Sequence, residues 1–210
     1  MNKAIDFNIP KEHQDLAESL KKCVAGEVRF DDISKSLYST DASIYQINPI
    51  GIVLPRDIAD VVAVVETAAR YGVPVLPRGA GTSLAGQTVG HAIVIDFSKH
   101  MRKLLEINSE EGWVKTQPGI IIDELNSKLS SHKVQFAPDP STSNRANVGG
   151  ALGNNSCGAH SILWGKTIDH VNELDVVLSD GSLANLGLQD TNSLKTKTNL
   201  EGLEGQIYRG

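Results

Sequence analysis

The chain has 210 residues, 40% of them hydrophobic, so it is long enough to bury a sizeable core in one large domain or two small ones. Its formal net charge of -5, from 20 Lys and Arg against 25 Asp and Glu, argues against a nucleic-acid-binding surface, and no dense basic run reverses this. Two cysteines are too few for a disulfide framework or a cysteine-rich metal site, and they fit a reducing compartment.

The first ten residues contain no apolar signal core. No run in the chain approaches the ~18 continuous apolar residues of a membrane span. We therefore expect a cytoplasmic protein without an integral membrane segment.

The first third of the chain predicts a helix and then a βαβ unit. Apolar residues at helical spacing predict a helix over 11–24, whereas the polar passage 28–48 shows no period of either kind. Residues 51–76 contain an apolar run, a helical spacing and a second apolar run, which predict strand, helix and strand. Pro74 lies inside the second run and favours an edge strand or a strand start.

A glycine-rich stretch, residues 77–87, follows the second predicted strand and reads P-R-G-A-G-T-S-L-A-G-Q. Gly79, Gly81 and Gly86 allow positive φ and close approach to a ligand, so successive N–H groups could turn toward one anion, beside the charge of Arg78. Taken alone, the stretch is equally consistent with a plain turn between strands. Its place after the carboxyl end of a strand favours binding of a phosphate or pyrophosphate.

The next part of the chain predicts a second lobe of mixed α+β type. Three short apolar runs predict strands, at 92–95, 104–107 and 112–116. Helical spacing resumes over 120–131. Residues 168–186 predict a hairpin that turns at Asp180-Gly181 and closes the lobe.

A second glycine-rich stretch, residues 138–158, reads P-D-P-S-T-S-N-R-A-N-V-G-G-A-L-G-N-N-S-C-G. So much glycine, serine and asparagine is poor helix or strand material, which indicates that the backbone lines a ligand. Short donors and acceptors suited to a sugar, a phosphate or a heterocycle edge are Asp139, Ser141, Asn147, Asn154, Asn155 and Ser156.

Several well-known motifs are absent. Gly79 and Gly81 are followed by Leu84 where the Rossmann pattern needs glycine, and Gly165-Lys166-Thr167 lacks the upstream glycine of a P-loop. The 6 histidines show no metal-ligand spacing, so we expect no metal site. Cys157 could be a nucleophile, but a small residue beside a ligand is the favoured interpretation.

Six ordered motifs resemble the FAD-binding domain of the vanillyl-alcohol oxidase/PCMH flavoprotein family, and in particular its FAD-linked D-2-hydroxy-acid dehydrogenases of the D-lactate, glycolate and D-2-hydroxyglutarate group. The resemblance covers roughly residues 30–210. The motifs are P-R-G-A-G-T-S-L-A-G-Q at 77–87, V-I-D-F-S at 94–98, Q-P-G-I at 117–120, F-A-P-D-P-S-T at 136–142, V-G-G-A-L-G-N-N-S-C-G-A-H-S at 148–161 and V-V-L-S-D-G-S at 176–182.

The resemblance implies an α+β fold of the PCMH type with two lobes. We expect a helix and lead-in segment over 1–48, a small βαβ lobe over 49–90, and a larger mixed or antiparallel sheet lobe with helices over 91–210. The second lobe would be truncated before a substrate or cap domain that carries the catalytic residues. The chain would then be the FAD-binding fragment of an enzyme that oxidises a D-2-hydroxy acid by hydride transfer to flavin N5, and would be inactive alone.

The resemblance also assigns FAD contacts residue by residue. The first stretch would hold the pyrophosphate through Arg78, Gly79, Ala80, Gly81, Thr82, Ser83, Gly86 and Gln87. The second would line the pyrophosphate, ribityl chain and isoalloxazine through Pro138, Asp139, Ser141, Thr142, Gly149, Gly150, Gly153, Asn154, Cys157 and Gly158. Many relatives attach FAD to a histidine that follows a glycine in the first loop, but here Thr82 follows Gly81, so we expect non-covalent FAD.

Some alternatives stay open at this point. The chain could belong to another oxidoreductase of the same fold, such as an alcohol or aldehyde oxidase or a sugar-nucleotide reductase, or be a non-catalytic nucleotide-binding module. The expected electron acceptor is a quinone, a cytochrome or an iron–sulfur segment, since large bacterial relatives carry iron–sulfur clusters C-terminally. A peripheral membrane association of the full-length protein is compatible with the expected cytoplasmic location.

Overall fold

A computed structural model gives the fold and describes residues 11–187; the predicted lead-in and second lobe extend into 1–10 and 188–210, which lie outside that range. The helices are α1 Lys11–Cys23, α2 Asp32–Tyr38, α3 Ile58–Arg70, α4 Ile122–Leu129, α5 Val148–Gly153 and α6 Ser161–Trp164. The strands are β1 Glu27–Arg29, β2 Gly51–Leu54, β3 Val75–Arg78, β4 Ile93–Asp96, β5 Leu104–Asn108, β6 Trp113–Thr116, β7 Glu173–Val177 and β8 Leu183–Gly187. Short 3-10 helices cover Ser130–His132 and Thr167–His170.

The first sheet has the strand order β1-β2-β4-β3. β2, β4 and β3 run parallel, and β1 is antiparallel to β2. All four residues of β2 and of β4 are buried, which explains why both read as continuous apolar runs. The predicted βαβ unit over 51–76 is confirmed, and β3 lies at the edge of the sheet as Pro74 indicated.

Two features of this sheet differ from the sequence-based expectation. The run at 92–95, which was expected in the second lobe, forms β4, and β4 pairs with both β2 and β3, so the first sheet extends to Asp96. The passage 28–48, which showed no period, contains the end of β1 and all of α2. Both elements are too short for periodicity to reveal them.

The remaining described elements are two hairpins and the helices α4, α5 and α6 with two short 3-10 helices. β5 pairs with β6 and β7 with β8, both antiparallel, so the predicted strands at 104–107 and 112–116 and the hairpin around Asp180-Gly181 are confirmed. α4 packs Leu125 and Leu129 against Ile120. No helix in the described part of the chain is long and apolar enough to cross a membrane.

The main core lies between the first sheet and the helices α1 and α3. Leu16 and Leu20 of α1 and Val64 of α3 are almost completely buried against the sheet residues Val53 and Ile93. Leu16 and Leu20 belong to the apolar stripe that predicted α1. Burying such side chains stabilises the fold by about 1.5–3 kcal/mol each.

Asp60 fastens the start of α3 to the turn after α1. Its carboxylate accepts hydrogen bonds from the backbone N–H groups of Ala25 at 2.7 Å and Arg56 at 2.8 Å, and only 3% of the residue is exposed. Asp57, the N-cap of α3, accepts from the N–H of Asp60. Since both partners of Asp60 are donors, an amide nitrogen in place of one oxygen would face a donor.

We expect Asp60→Asn to lower the free energy of unfolding by about 2–4 kcal/mol, because one buried N–H loses its acceptor. Asp57→Asn is the matched control and should cost less than about 0.5 kcal/mol, because asparagine caps helices as well as aspartate does. Urea unfolding followed by circular dichroism measures both. Equal losses in the two variants would contradict the role given to Asp60.

Candidate functional site

The two glycine-rich stretches meet along one groove of about 1950 Å³. The first forms the loop that leaves the carboxyl end of β3, and the second contains α5. Gly79 packs against Asn147, since a Cβ at position 79 would lie 2.7 Å from the Asn147 Oδ1. Gln87 Nε2 donates to Asn154 Oδ1 at 3.0 Å. The structure therefore brings together the two parts of the chain that the sequence singled out.

The structure divides the expected contact residues into two groups. Four of them, Gly86, Pro138, Asp139 and Gly158, do not line the groove. Those that line it are Arg78, Gly79, Ala80, Gly81, Thr82, Ser83, Gln87, Ser141, Thr142, Gly149, Gly150, Gly153, Asn154 and Cys157.

The loop after β3 presents unpaired backbone donors. Within residues 11–187, the N–H groups of residues 79–84 have no hydrogen-bond acceptor. Gly81 and Gly86 have φ of 68° and 76°, as the need for a left-handed backbone predicted. Successive free N–H groups in a concave loop form a binding place for an anion.

Arg78 supports this loop through its side chain. Its Nη1 donates to the carbonyls of Tyr38 at 3.3 Å and Thr88 at 3.0 Å, and its Nη2 donates to the carbonyl of Thr40 at 2.8 Å. The guanidinium lies over the Tyr38 ring, 5.2 Å from its centroid, and against Gly81. Burial lowers the pKa of Arg78, while the charge of Asp96 acts in the opposite direction. Three of the five guanidinium donors are thus committed to the protein itself.

The passage before β2 holds the other side of the loop. Ala42 donates its N–H to the Gly81 carbonyl at 3.0 Å, and Thr88 Oγ1 donates to Asp41 Oδ2 at 3.0 Å. The Tyr45 ring packs on Gly86, so a Cβ there would lie 2.6 Å from the ring. Sequence reasoning missed these residues. The cluster of hydroxyl and carboxyl side chains at 38–43 was the available signal, since such clusters bond to nearby backbone.

Tyr38 connects this passage to the first sheet. Its hydroxyl donates to Asp96 Oδ2 at 2.5 Å, at the carboxyl end of β4. Burial and the Asp96 carboxylate both raise the pKa of Tyr38, so the phenol stays protonated. Asp96 Oδ1 accepts from the N–H of Ser98. The ends of β3 and β4 and the loop are therefore tied into one network.

Two glycines of α5 have no reason within the described chain to be glycine. Gly150 and Gly153 lie three residues apart on one helical face, and a Cβ at either position would meet no described atom outside its own helix backbone and chain neighbours within 4 Å. Neither has a positive φ. Glycine inside a helix costs about 1 kcal/mol relative to alanine. By contrast, Gly149 packs on Pro118, where a Cβ would lie 2.6 Å from the proline Cβ.

Asp139 lies outside the groove and binds His160, just after the second glycine-rich stretch. Its carboxylate pairs with His160 Nδ1 and accepts the His160 N–H at 3.3 Å, and the hydrogen bond to the His160 side chain lowers the pKa of Asp139. The His160 ring stacks on Trp164 at 4.8 Å. Cys157 is a free, exposed thiol beside the groove. No group of three or more metal-binding side chains occurs in the part of the chain that the structure describes.

Comparisons with known proteins fit this geometry. Residues 49–187 match the model of a family described as FAD binding domain. The chain is 42% identical over 188 residues to a D-2-hydroxyglutarate dehydrogenase of Pseudomonas putida, covering 88% of this chain and 19% of that protein. It is 34% identical over 179 residues to the glycolate oxidase subunit GlcD of Bacillus subtilis, covering 83% and 38%. The chain thus spans about a fifth of the length of the first relative.

Solved structures show the same fold. An alkyldihydroxyacetonephosphate synthase superposes with a TM-score of 0.75 at 24% identity, over 90% of this chain and 38% of the other. A p-cresol methylhydroxylase superposes with a TM-score of 0.70 at 14% identity, over 85% and 36%. These likenesses confirm the predicted PCMH-type α+β fold.

We expect Arg78→Gln to lower the free energy of unfolding by about 2–4 kcal/mol, because carbonyls of the loop and of the supporting passage lose charged donors. Arg145→Gln is the matched control. Arg145 also lines the groove but is exposed, and its side chain has no acceptor among residues 11–187, so its loss should cost less than about 0.5 kcal/mol. Thermal unfolding of the two variants checks this, and a stable Arg78→Gln protein would contradict it.

Proposed function

Because the chain belongs to the FAD binding domain family, we propose that its groove holds FAD and that the protein oxidises a D-2-hydroxy acid. The observation that carries this proposal is the open face of Gly150 and Gly153 in the same groove as the unpaired N–H groups of residues 79–84. The wall formed by residues 79–84 offers N–H donors to a phosphate, and the wall formed by α5 leaves space where side chains at Gly150 and Gly153 would stand. A phosphate-bearing cofactor with a flat ring fits both walls.

The residues present can hold such a cofactor. The N–H groups of Gly79 to Ser83 and the hydroxyls of Thr82 and Ser83 would bind the pyrophosphate, since they are uncharged donors of residues that line the groove. Gly149, Gly150 and Gly153, with Asn154, Cys157, Ser141 and Thr142, would line the ribityl chain and the isoalloxazine. Arg78, Gly86, Pro138, Asp139 and Gly158 would act by shaping the two stretches, and Gln87 by joining them.

When bound, the cofactor would supply the redox chemistry, with its flavin N5 as the acceptor of a hydride from the substrate α-carbon. The chain's own part is to bind and orient. Its backbone donors would bind the negatively charged pyrophosphate beside the loop after β3, and apolar side chains also line the groove. We assign no catalytic residue within residues 11–187, and place substrate binding and deprotonation outside them.

The names of the relatives support the substrate class. Several are D-2-hydroxyglutarate dehydrogenases and others are glycolate oxidase subunits, and both names denote 2-hydroxy acids. Another oxidoreductase of the same fold or a non-catalytic module is not favoured, because the relatives of higher identity carry these names. We further propose a quinone, a cytochrome or an iron–sulfur segment as electron acceptor, at a cytoplasmic or membrane-peripheral site.

FAD titrated into the apoprotein should bind with quenching of flavin fluorescence and shifted visible bands. Precipitation of the complex with acid should then release all the flavin into the supernatant, because the position where many relatives carry an attachment histidine is Thr82 here. Flavin retained in a washed acid pellet would contradict non-covalent binding. No uptake of FAD by the folded protein would overturn the proposed function.

Gly150→Ala and Gly153→Ala should each stabilise the apoprotein by about 0.5–1 kcal/mol, because alanine favours the helix and meets no atom. The same substitutions should weaken FAD binding about tenfold or more, because the methyl group occupies space that the cofactor needs. Thermal unfolding and fluorescence titration measure the two effects.

Gly149→Ala is the control for this pair, and it should destabilise the apoprotein through its contact with Pro118. Stabilised Gly150→Ala and Gly153→Ala proteins that bind FAD like the wild type would show that the cofactor does not pass over α5.

A further inference from the structure

Asn147 contains an unusual polar atom. Its Oδ1 is buried and has no hydrogen-bond partner among residues 11–187, and only 3% of the residue is exposed. An unpaired buried acceptor costs free energy, so a native protein that retains one needs a reason. Asn147 was noted in the sequence as a short polar residue but was not among the expected FAD contacts.

The orientation of the Asn147 amide is fixed by its other end. Nδ2 donates to the Gly119 carbonyl at 2.6 Å, in the turn that precedes α4. Reversing the amide would place two oxygens against each other. Oδ1 must therefore face the opposite side, where it lies against the backbone of Gly79 at the start of the loop.

Contact with Oδ1 accounts for glycine at position 79. A Cβ there would lie 2.7 Å from Oδ1 and 3.3 Å from the Asn147 Cβ and Cγ, and no atom outside Asn147 is nearer. Position 79 does not have a positive φ, so backbone conformation is not the reason. An amide oxygen carries no hydrogen, so the Gly79 backbone approaches it more closely than it could approach a methyl or an NH₂ group.

We propose that Asn147 is a positioning residue for the loop after β3. Its side chain sets where Gly79 and the free N–H groups that follow it lie relative to α5. Asn147 is the N-cap position of α5 and is bridged to Ile121, so it is held by the second lobe. It transmits the position of α5 to the loop on the first sheet. Asn147 thereby helps to set the distance between the two walls of the groove, in addition to the hydrogen bond between Gln87 and Asn154. This inference rests on the proposed binding of FAD.

A double-mutant cycle tests the proposal through FAD affinity. The penalty of Gly79→Ala is the ratio of the Kd for FAD with and without that substitution. We expect a penalty of about tenfold or more in the wild type, because the new methyl displaces the loop. In an Asn147→Ala background the penalty should fall to about threefold or less, because the obstructing amide is absent. Asn147→Ser serves as a second background in case Asn147→Ala does not fold.

Asn126→Ala provides the control background. Asn126 also binds backbone with both ends of its amide, donating to the Phe136 carbonyl at 3.1 Å and accepting from the Phe136 N–H at 2.7 Å, and it does not line the groove. There the penalty of Gly79→Ala should equal that in the wild type.

The outcomes are separable. Equal penalties in the wild type and both Asn147 backgrounds overturn the positioning role while FAD binding stands. A wild type that takes up no FAD overturns the proposed function, and this inference with it.

Discussion

The groove depends on one half-buried cation that binds the backbone on both sides of the loop after β3. The Arg78 guanidinium ties the carbonyls of Tyr38, Thr40 and Thr88 together at the end of an edge strand. Without it, those three carbonyls would lose their charged donors. The N–H groups of residues 79–84 take no part in this bonding and have no acceptor among residues 11–187. The arginine thus satisfies backbone carbonyls around the loop, while the N–H groups of the loop itself remain available to a ligand.

Much of the fold could be predicted from the sequence, because it depends on local pattern. Apolar stripes identified α1 and α3, and turn residues identified the hairpin of β7 and β8. The position of β4 could not be predicted in this way. An apolar run states that a strand is buried, but not which strands it pairs with, and a parallel strand finds its partners across a crossover connection.

The site was predicted in part for the same reason. The glycine content identified both stretches, but the structural reason for glycine differs among their positions. Gly81 has a left-handed backbone conformation, and Gly79 approaches Asn147 too closely for a Cβ. At Gly150, no contact within residues 11–187 requires glycine. Composition cannot separate these cases, since each reads as the same letter. The role of Arg78 in binding backbone could not be predicted either, because an arginine that binds a phosphate and one that binds backbone carbonyls look alike in sequence.

Pro77 lies in β3, which has a described neighbour on one side only. The carbonyls of Pro74 and Arg78 accept hydrogen bonds from the N–H groups of Ile93 and Phe97 in β4 and just after it. Because alternate residues of a strand point their backbone groups to opposite sides, the backbone nitrogen of Pro77 points away from β4, toward the open edge. Proline has no N–H to offer there, so the outer edge of this short strand lacks a donor that an incoming strand would need. The strand that carries the cofactor loop is thereby protected against edge-to-edge aggregation between molecules.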